Sequence, residues 1–341
     1  MELRDFFFHL PDSAIAQEPR TPRDSALLYV MNPDGTDDHS VFRKLPSLLR
    51  KDDLLVVNDT RTIKARLFGH KKTGGKCELL LLRPLSSLNR WEAMVRPAKR
   101  LRAGSSFEIS GVEVTIKREL EEGLREVEFA GCDVEKLIKR SGHVPLPPYI
   151  KREDEKADRS DYQTVYAREG YSVAAPTAGL HFTKRVLKEL EEKGIEVAKI
   201  RLDVGLGTFR PIVAEKIDDH KMHSERYFIS DEAAAAVNRA LMEKRRVVAV
   251  GTTAVRALED QGMRYGKVKA GEYESAIFIK PGHDFRIVSA MVTNFHLPGS
   301  TLFVLVSAFM GRERMLKAYN EAIRLGYRFY SYGDAMLLFR K

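Results

Sequence analysis

A change of texture along the chain constrains its fold most. From about residue 63 to 150 short strand-like runs follow one another: KARLFGH, CELLLLRP, WEAMVRP, SFEIS, VEVTIKREL and LREVEFAG, with Gly or Ser between them. Such spacing predicts a small antiparallel sheet or barrel. DVEKLIKRSG reads as one helix closing it, and the proline-rich HVPLPPYI as an exit linker. Before this segment, ALLYVM and DLLVVN read as strands around a short helical turn, FRKLPSLLRK. After about 155, beyond YQTVYA, helices and strands alternate: helix 183–193, strand IEVAKIRLDV, helix 230–244, strand RVVAV and helix TTAVRALED. Strands near 273–279 and 287–294 and the helix RERMLKAYNEAIRLG follow. Alternation of that kind favours a layered α/β arrangement. The expected fold class is therefore α/β: a discontinuous main domain, 1–60 plus 155–341, carrying an inserted small antiparallel β-barrel-like domain over 63–150. A length of 341 residues suits two domains.

With 43% hydrophobic and 31% charged residues, the composition is that of a soluble globular protein. MELRDFFFHLPDS has a five-residue apolar patch with acids on both sides, so no signal peptide is expected. TLFVLVSAFM (301–310) is too short to span a bilayer and reads as a buried strand or helix. Cys77 and Cys132 lack C-x-x-C spacing, so neither a disulfide framework nor a cysteine metal site is expected. The expected location is cytoplasmic, with no membrane partner. Lys and Arg number 57 against 48 Asp and Glu, a net charge of +9, which makes nucleic acid a plausible partner although many basic proteins bind none. Arg96, Lys99, Arg100 and Arg102, with Trp91 nearby, would form a phosphate-tracking face if the sheet brings them together.

Several loops carry the residues of a site rather than of a core. SVAAPTAGLHFT (172–183) sets Thr177, His181 and Thr183 among residues with almost no side chain, Gly179 included, just ahead of a helix. VVNDTRTIKARL (56–67) leaves a strand into Asn58, Asp59, Thr60 and Arg61, which suits either a capped turn or anion recognition. VGTTAVRALE (250–259) ends a strand in Gly and opens a helix on Thr252 and Thr253, as a plain cap or as a seat for carboxylate or phosphate. DVGLGTFRP (203–211), DHKMHSER (219–226), TNFHLPGSTL (293–302) and YRFYSYGDAML (327–337) share this texture. Strand C-termini feeding such loops are where α/β sheets bind ligands. His220-x-x-His223 with Glu225 lacks the H-E-x-x-H pattern or a second His pair, so no metal is expected. Phosphate-loop and nucleophile-elbow motifs are missing, and Gly205 and Gly207 lack the third glycine of a dinucleotide fingerprint.

Together these segments, in one order from LRDFFFHLP to YRFYSYGDAML, resemble the S-adenosylmethionine:tRNA ribosyltransferase-isomerases of queuosine biosynthesis. Asp203 stands where relatives often carry His, and Gly299 where they often carry a basic residue. The resemblance implies an enzyme that uses S-adenosylmethionine as ribosyl donor, with no other cofactor. The acceptor would be tRNA carrying 7-aminomethyl-7-deazaguanine at the anticodon wobble position, and the products epoxyqueuosine-tRNA, adenine and methionine. Nothing in the sequence requires more than a monomer, nor does it fix the oligomeric state.

The chemistry needs a base for a ribose C5′ hydrogen acidified by the sulfonium, a proton donor for departing adenine, and exclusion of water. The sulfonium itself prefers carboxylate, carbonyl or aromatic neighbours. His181, His223, His296 and Asp203 are the expected catalytic residues, their roles unassigned, with His220 also available. Asp59, Arg61, Thr177, Gly179, Thr208, Glu225, Thr252, Asn294, Tyr332 and Asp334 are the expected substrate-binding residues. The loops around His181, Thr208, His223, Thr252, Asn294 and Tyr332 are expected to converge on one pocket. A non-catalytic RNA-binding protein and an ordinary RNA methyltransferase are the rivals; the fate of S-adenosylmethionine separates all three.

Overall fold

The computed structural model describes residues 1–85, 87, 89–205 and 212–340; Thr208 lies outside them. The six strand-like runs become six antiparallel strands, β4 (Arg66–His70), β5 (Lys76–Pro84), β6 (Arg90–Arg96), β7 (Ser106–Ile109), β8 (Val112–Glu119) and β9 (Arg125–Phe129). They close as a barrel in the order β4-β5-β6-β9-β8-β7. Alternate residues fill its interior: Leu79 and Leu81 from β5, Trp91, Ala93 and Val95 from β6, Val114 and Ile116 from β8. Trp91 is therefore a core residue, 1% exposed, and not part of a phosphate-tracking face. The period-2 alternation of β6 turns Trp91 inward and Arg96 outward. Arg96, Lys99, Arg100 and Arg102 are all exposed.

The remaining strands build a nine-stranded sheet: β1 (Leu27–Met31), β2 (Asp37–Val41), β3 (Leu54–Asn58), β10 (Glu196–Leu202), β11 (Glu225–Ile229), β12 (Val247–Val250), β13 (Gly271–Ser275), β14 (Ala290–Asn294) and β15 (Ala335–Phe339). Its order is β13-β11-β10-β3-β12-β14-β15-β1-β2. β3, β12, β14 and β15 are buried along their whole length, so they are apolar without alternation. Their successive side chains serve two faces. Leu54, Val56, Val247, Ala249 and Met291 pack in one core with helices α5 (Asp231–Met242), α6 (Thr252–Tyr265), α7 (Thr301–Met310) and α8 (Arg312–Arg324). Leu55, Val57, Val248, Val250 and Val292 pack in the other with α1 (Leu45–Leu48) and α4 (Lys184–Glu192). Each Val, Leu or Met side chain among these stabilises the fold by about 1.5–3 kcal/mol on burial. The run TLFVLVSAFM is thus a helix. Two further helices, α2 (Val134–Ser141) and α3 (Asp158–Asp161), follow the barrel, and α2 packs Val134, Leu137 and Ile138 on the barrel core.

β10, β3, β12 and β14 are mutually parallel, which brings four strand C-termini to one edge. The barrel segment leaves from that edge after Asn58, and the chain is pinned again by a bridge between Thr62 and Ser172. Cys77 and Cys132 are free thiols. Among the described residues no helix is long and apolar enough to cross a membrane.

Candidate active site

Asn58, the last residue of β3, ties the strand ends together. Its Nδ2 donates to the Leu202 carbonyl (2.9 Å) and to Thr253 Oγ1 (3.2 Å), and its Oδ1 accepts from Leu202 N–H (3.0 Å). Beside it a cavity of about 400 Å³ opens at the sheet edge. The loop after β12 contributes Gly251, Thr252 and Thr253; the loop after β14 contributes Asn294, His296, Gly299 and Ser300. Thr177, Val204, Tyr149 and Tyr330 complete the wall, and none of the described lining residues is Asp, Glu, Lys or Arg.

Neutral hydrogen bonds hold this wall. Asn294 accepts at Oδ1 from Thr177 Oγ1 (3.2 Å) and donates from Nδ2 to His181 Nε2 (3.0 Å) and the Tyr330 carbonyl (3.1 Å). A donor at Nε2 leaves the His181 proton on Nδ1. Burial lowers the His181 pKa to about 4 and that of His296 to about 3, so both imidazoles are neutral at pH 7. His296 lies in the cavity wall, its Nε2 paired with Thr293 Oγ1 (2.9 Å). His181 sits behind Asn294, its ring 5.1 Å from that of Phe42, and lines a small recess with Arg20, Arg23 and Tyr332 instead. Gly251 has φ +87°, a conformation that glycine adopts readily, and α6 starts at Thr252 with no side-chain cap. The unpaired N–H groups and the positive end of that helix therefore border the cavity.

Other residues singled out in the sequence lie elsewhere. Asp203, His223 and Glu225 line a second crevice of about 670 Å³ with Arg83, Glu92, Arg226 and Glu274; Val204 is common to both cavities. Burial raises the Asp203 pKa, against the bond it accepts from Thr60 Oγ1 (2.5 Å). Glu225 is buried in an ion pair with Arg256 and accepts the Gly205 N–H (3.1 Å). Arg61 lines a third crevice with Lys64, Lys139, Arg159 and Asp203. Burial also raises the pKa of Asp59, with Lys199, Arg168 and Arg201 opposing. His220 packs against Phe278, and burial and His223 lower its pKa. Among the described residues no three His, Cys, Asp or Glu are grouped to hold a metal.

Three residues hold the frame. A Cβ at Gly179 would lie 2.1 Å from the Tyr166 hydroxyl, so the group that approaches this glycine closely is a tyrosine of the protein itself. Tyr332 donates to Asp158 Oδ1 (2.8 Å). Asp334 accepts from Leu27 N–H and Arg328 N–H (2.8 Å each) and pairs with Arg20. Sequence reasoning passes over Tyr149, Thr293, Ser300 and Tyr330, although each lies inside a segment it singles out; Tyr330 is two residues from Tyr332. Gly299 has φ +64°, and a Cβ there would meet the exposed Phe7 ring at 2.7 Å. A basic residue at 299 would displace that ring.

Residues 3–338 match the family described as queuosine biosynthesis protein. The S-adenosylmethionine:tRNA ribosyltransferase-isomerase of Anaeromyxobacter dehalogenans (strain 2CP-C) is 49% identical, with 100% of each chain covered. The protein of that name from Moorella thermoacetica is also 49% identical, over 99% of this chain and 100% of its own. The crystal structure of the S-adenosylmethionine tRNA ribosyltransferase from Thermotoga maritima is similar with a TM-score of 0.56 and 32% identity, over 98% of this chain and 99% of that one.

Proposed function

The chain belongs to the queuosine biosynthesis family, and from that premise we propose that it transfers and isomerises the ribosyl group of S-adenosylmethionine. The acceptor is the aminomethyl group of 7-aminomethyl-7-deazaguanine at the tRNA wobble position; the products are epoxyqueuosine-tRNA, adenine and methionine. The observation that carries this reading is the uncharged cavity where parallel strand ends meet, of a size that suits a nucleoside-bearing ligand. The first turn of α6 receives the substrate carboxylate.

His296 is the neutral imidazole in the wall, and in this reading it takes the C5′ proton. The transfer leaves the C–H electron pair on C5′ as a net-neutral ylide and makes the ring the cation. No net charge is created, so burial opposes it less than it opposes protonation from water. The resulting imidazolium is strongly acidic and returns its proton to departing adenine. Asn294 positions Thr177 and the Tyr330 backbone around the reacting groups. The expected inserted domain, 63–150, carries the RNA face through exposed Arg96, Lys99, Arg100 and Arg102, while 1–60 and 155–341 form the catalytic domain. Chromatography of the small products tests the reaction. Adenine and methionine that form only with tRNA bearing the aminomethyl base support it; S-adenosylhomocysteine as main product shows methyl transfer instead.

A further inference from the structure

Tyr330 carries two energetic costs at the cavity wall. Its φ is +73°, in the left-handed region that a bulky side chain rarely occupies, at a cost on the order of 1–3 kcal/mol. Its hydroxyl is buried with no hydrogen-bond partner among the described residues. The surroundings enforce this placement. Tyr330 N–H donates to the Phe295 carbonyl (3.0 Å), and the Tyr330 carbonyl accepts from Gly333 N–H (2.9 Å) and from Asn294 Nδ2 (3.1 Å). The ring is thereby set against that of Tyr149, with centroids 4.1 Å apart, and both line the cavity.

A sulfonium entering this cavity meets no carboxylate among the described lining residues. Its positive charge needs an electron-rich neighbour, and the α6 N-terminus supplies the opposite sign. Phe295, the other phenyl ring of the wall, is fully buried, which leaves the two tyrosine rings. We propose that the strained Tyr330 ring, backed by Tyr149, is the group that recognises the sulfonium charge of the substrate through its π face. This rests on the S-adenosylmethionine reading above and names the residue that would tell the cation from its neutral thioether product analogue. Burial raises the phenol pKa further above its ordinary value, so the ring acts as a neutral face and not as a phenolate.

Calorimetric titration with S-adenosylmethionine and with S-adenosylhomocysteine, which has the same nucleoside and amino acid but no charge on sulfur, tests this. Wild type should prefer the cation, and Tyr330→Leu should cut that preference about tenfold. Tyr330→Phe should keep the preference and melt no lower than wild type, because a buried unpaired hydroxyl is gone. Should the leucine variant fail to fold, ring-fluorinated phenylalanines at 330 keep the shape and weaken the π face; the preference should fall step by step with fluorination. An unchanged preference in the leucine and fluorinated variants would overturn the proposal. So would its loss in Asp203→Asn with Tyr330 intact, which would seat the cation in the acidic crevice. Wild type that binds neither compound would instead strike the S-adenosylmethionine reading itself.

Discussion

Around the sheet-edge cavity no described lining residue is charged, whereas the barrel wall is laced with ion pairs: Arg83–Glu92, Arg90–Glu128, Lys117–Glu128, Arg118–Glu126 and Arg125–Glu119. The same barrel leaves Arg96, Lys99, Arg100 and Arg102 exposed, and among the described residues none of the four joins an ion pair. Solvation explains the difference. A buried charge costs several kcal/mol, so the cavity is organised by amide, hydroxyl and neutral imidazole groups. At the barrel surface water screens most of these charges, so exposed cations cost little whether paired or left open to a polyanion. The buried Glu126 and Arg125 keep their charge in close ion pairs. In the proposed reading, one region brings a small ligand's own charge into relief and the other meets many charges at once.

The largest effect expected of this division is at His296. Replacing it with Ala should lower adenine release by about 10²–10⁴-fold with little loss of thermal stability, if it moves protons as proposed. Turnover within a few-fold of wild type would take the chemistry out of the cavity. Changing Arg96, Lys99, Arg100 and Arg102 together to Gln should weaken tRNA binding. It should also flatten the salt dependence by roughly 0.7–0.9 in log–log slope for each phosphate no longer neutralised, with S-adenosylmethionine affinity unchanged. An unaltered slope would place the RNA face elsewhere.

Acid provides a finer probe of the cavity. The folded state holds His181 and His296 neutral down to about pH 4 and about pH 3, while the unfolded chain protonates them near 6.5. Their contribution to stability is therefore complete above about pH 6.5 and is lost as pH falls towards those folded values. Urea midpoints should drop with pH below 6.5 more steeply in wild type than in His296→Gln; parallel curves would contradict this. The smallest change is expected at the exposed barrel wall, where Lys117→Gln breaks a solvent-screened pair with Glu128. It should barely move the melting temperature and leave the tRNA salt slope intact. A loss of RNA affinity there would show that the paired wall also reads phosphate.

Strand texture made the barrel legible: each of the six apolar runs is one strand, because alternation and turn residues act over a few neighbours. Of the four parallel strands, β3, β12 and β14 were legible for a related reason, since fully buried strands read as short continuous apolar runs, while β10 alternates. Side-chain direction was not. Tyr330 and Tyr332 are indistinguishable as letters, yet a left-handed residue at 330 sends the first to the cavity and leaves the second bonded to Asp158. Trp91 could be placed beside the arginines in sequence, but strand parity turned it into the barrel core. Asp334 reads as a ligand group in sequence, whereas in the fold its oxygens are taken up by backbone N–H groups of residues 27 and 328.

β15 is the last strand in chain order, yet it lies inside the sheet, between β14 and β1. Until residues 335–339 leave the ribosome, β1 and β2 have no neighbour to join, and the main sheet exists only as its larger part. The barrel, whose pairings all fall within residues 66–129, meets no such delay. During synthesis this protein can therefore complete its barrel pairings ahead of its main sheet. Its pairing of widest sequence separation is the parallel one of β1 with β15, which closes a loop of some three hundred residues.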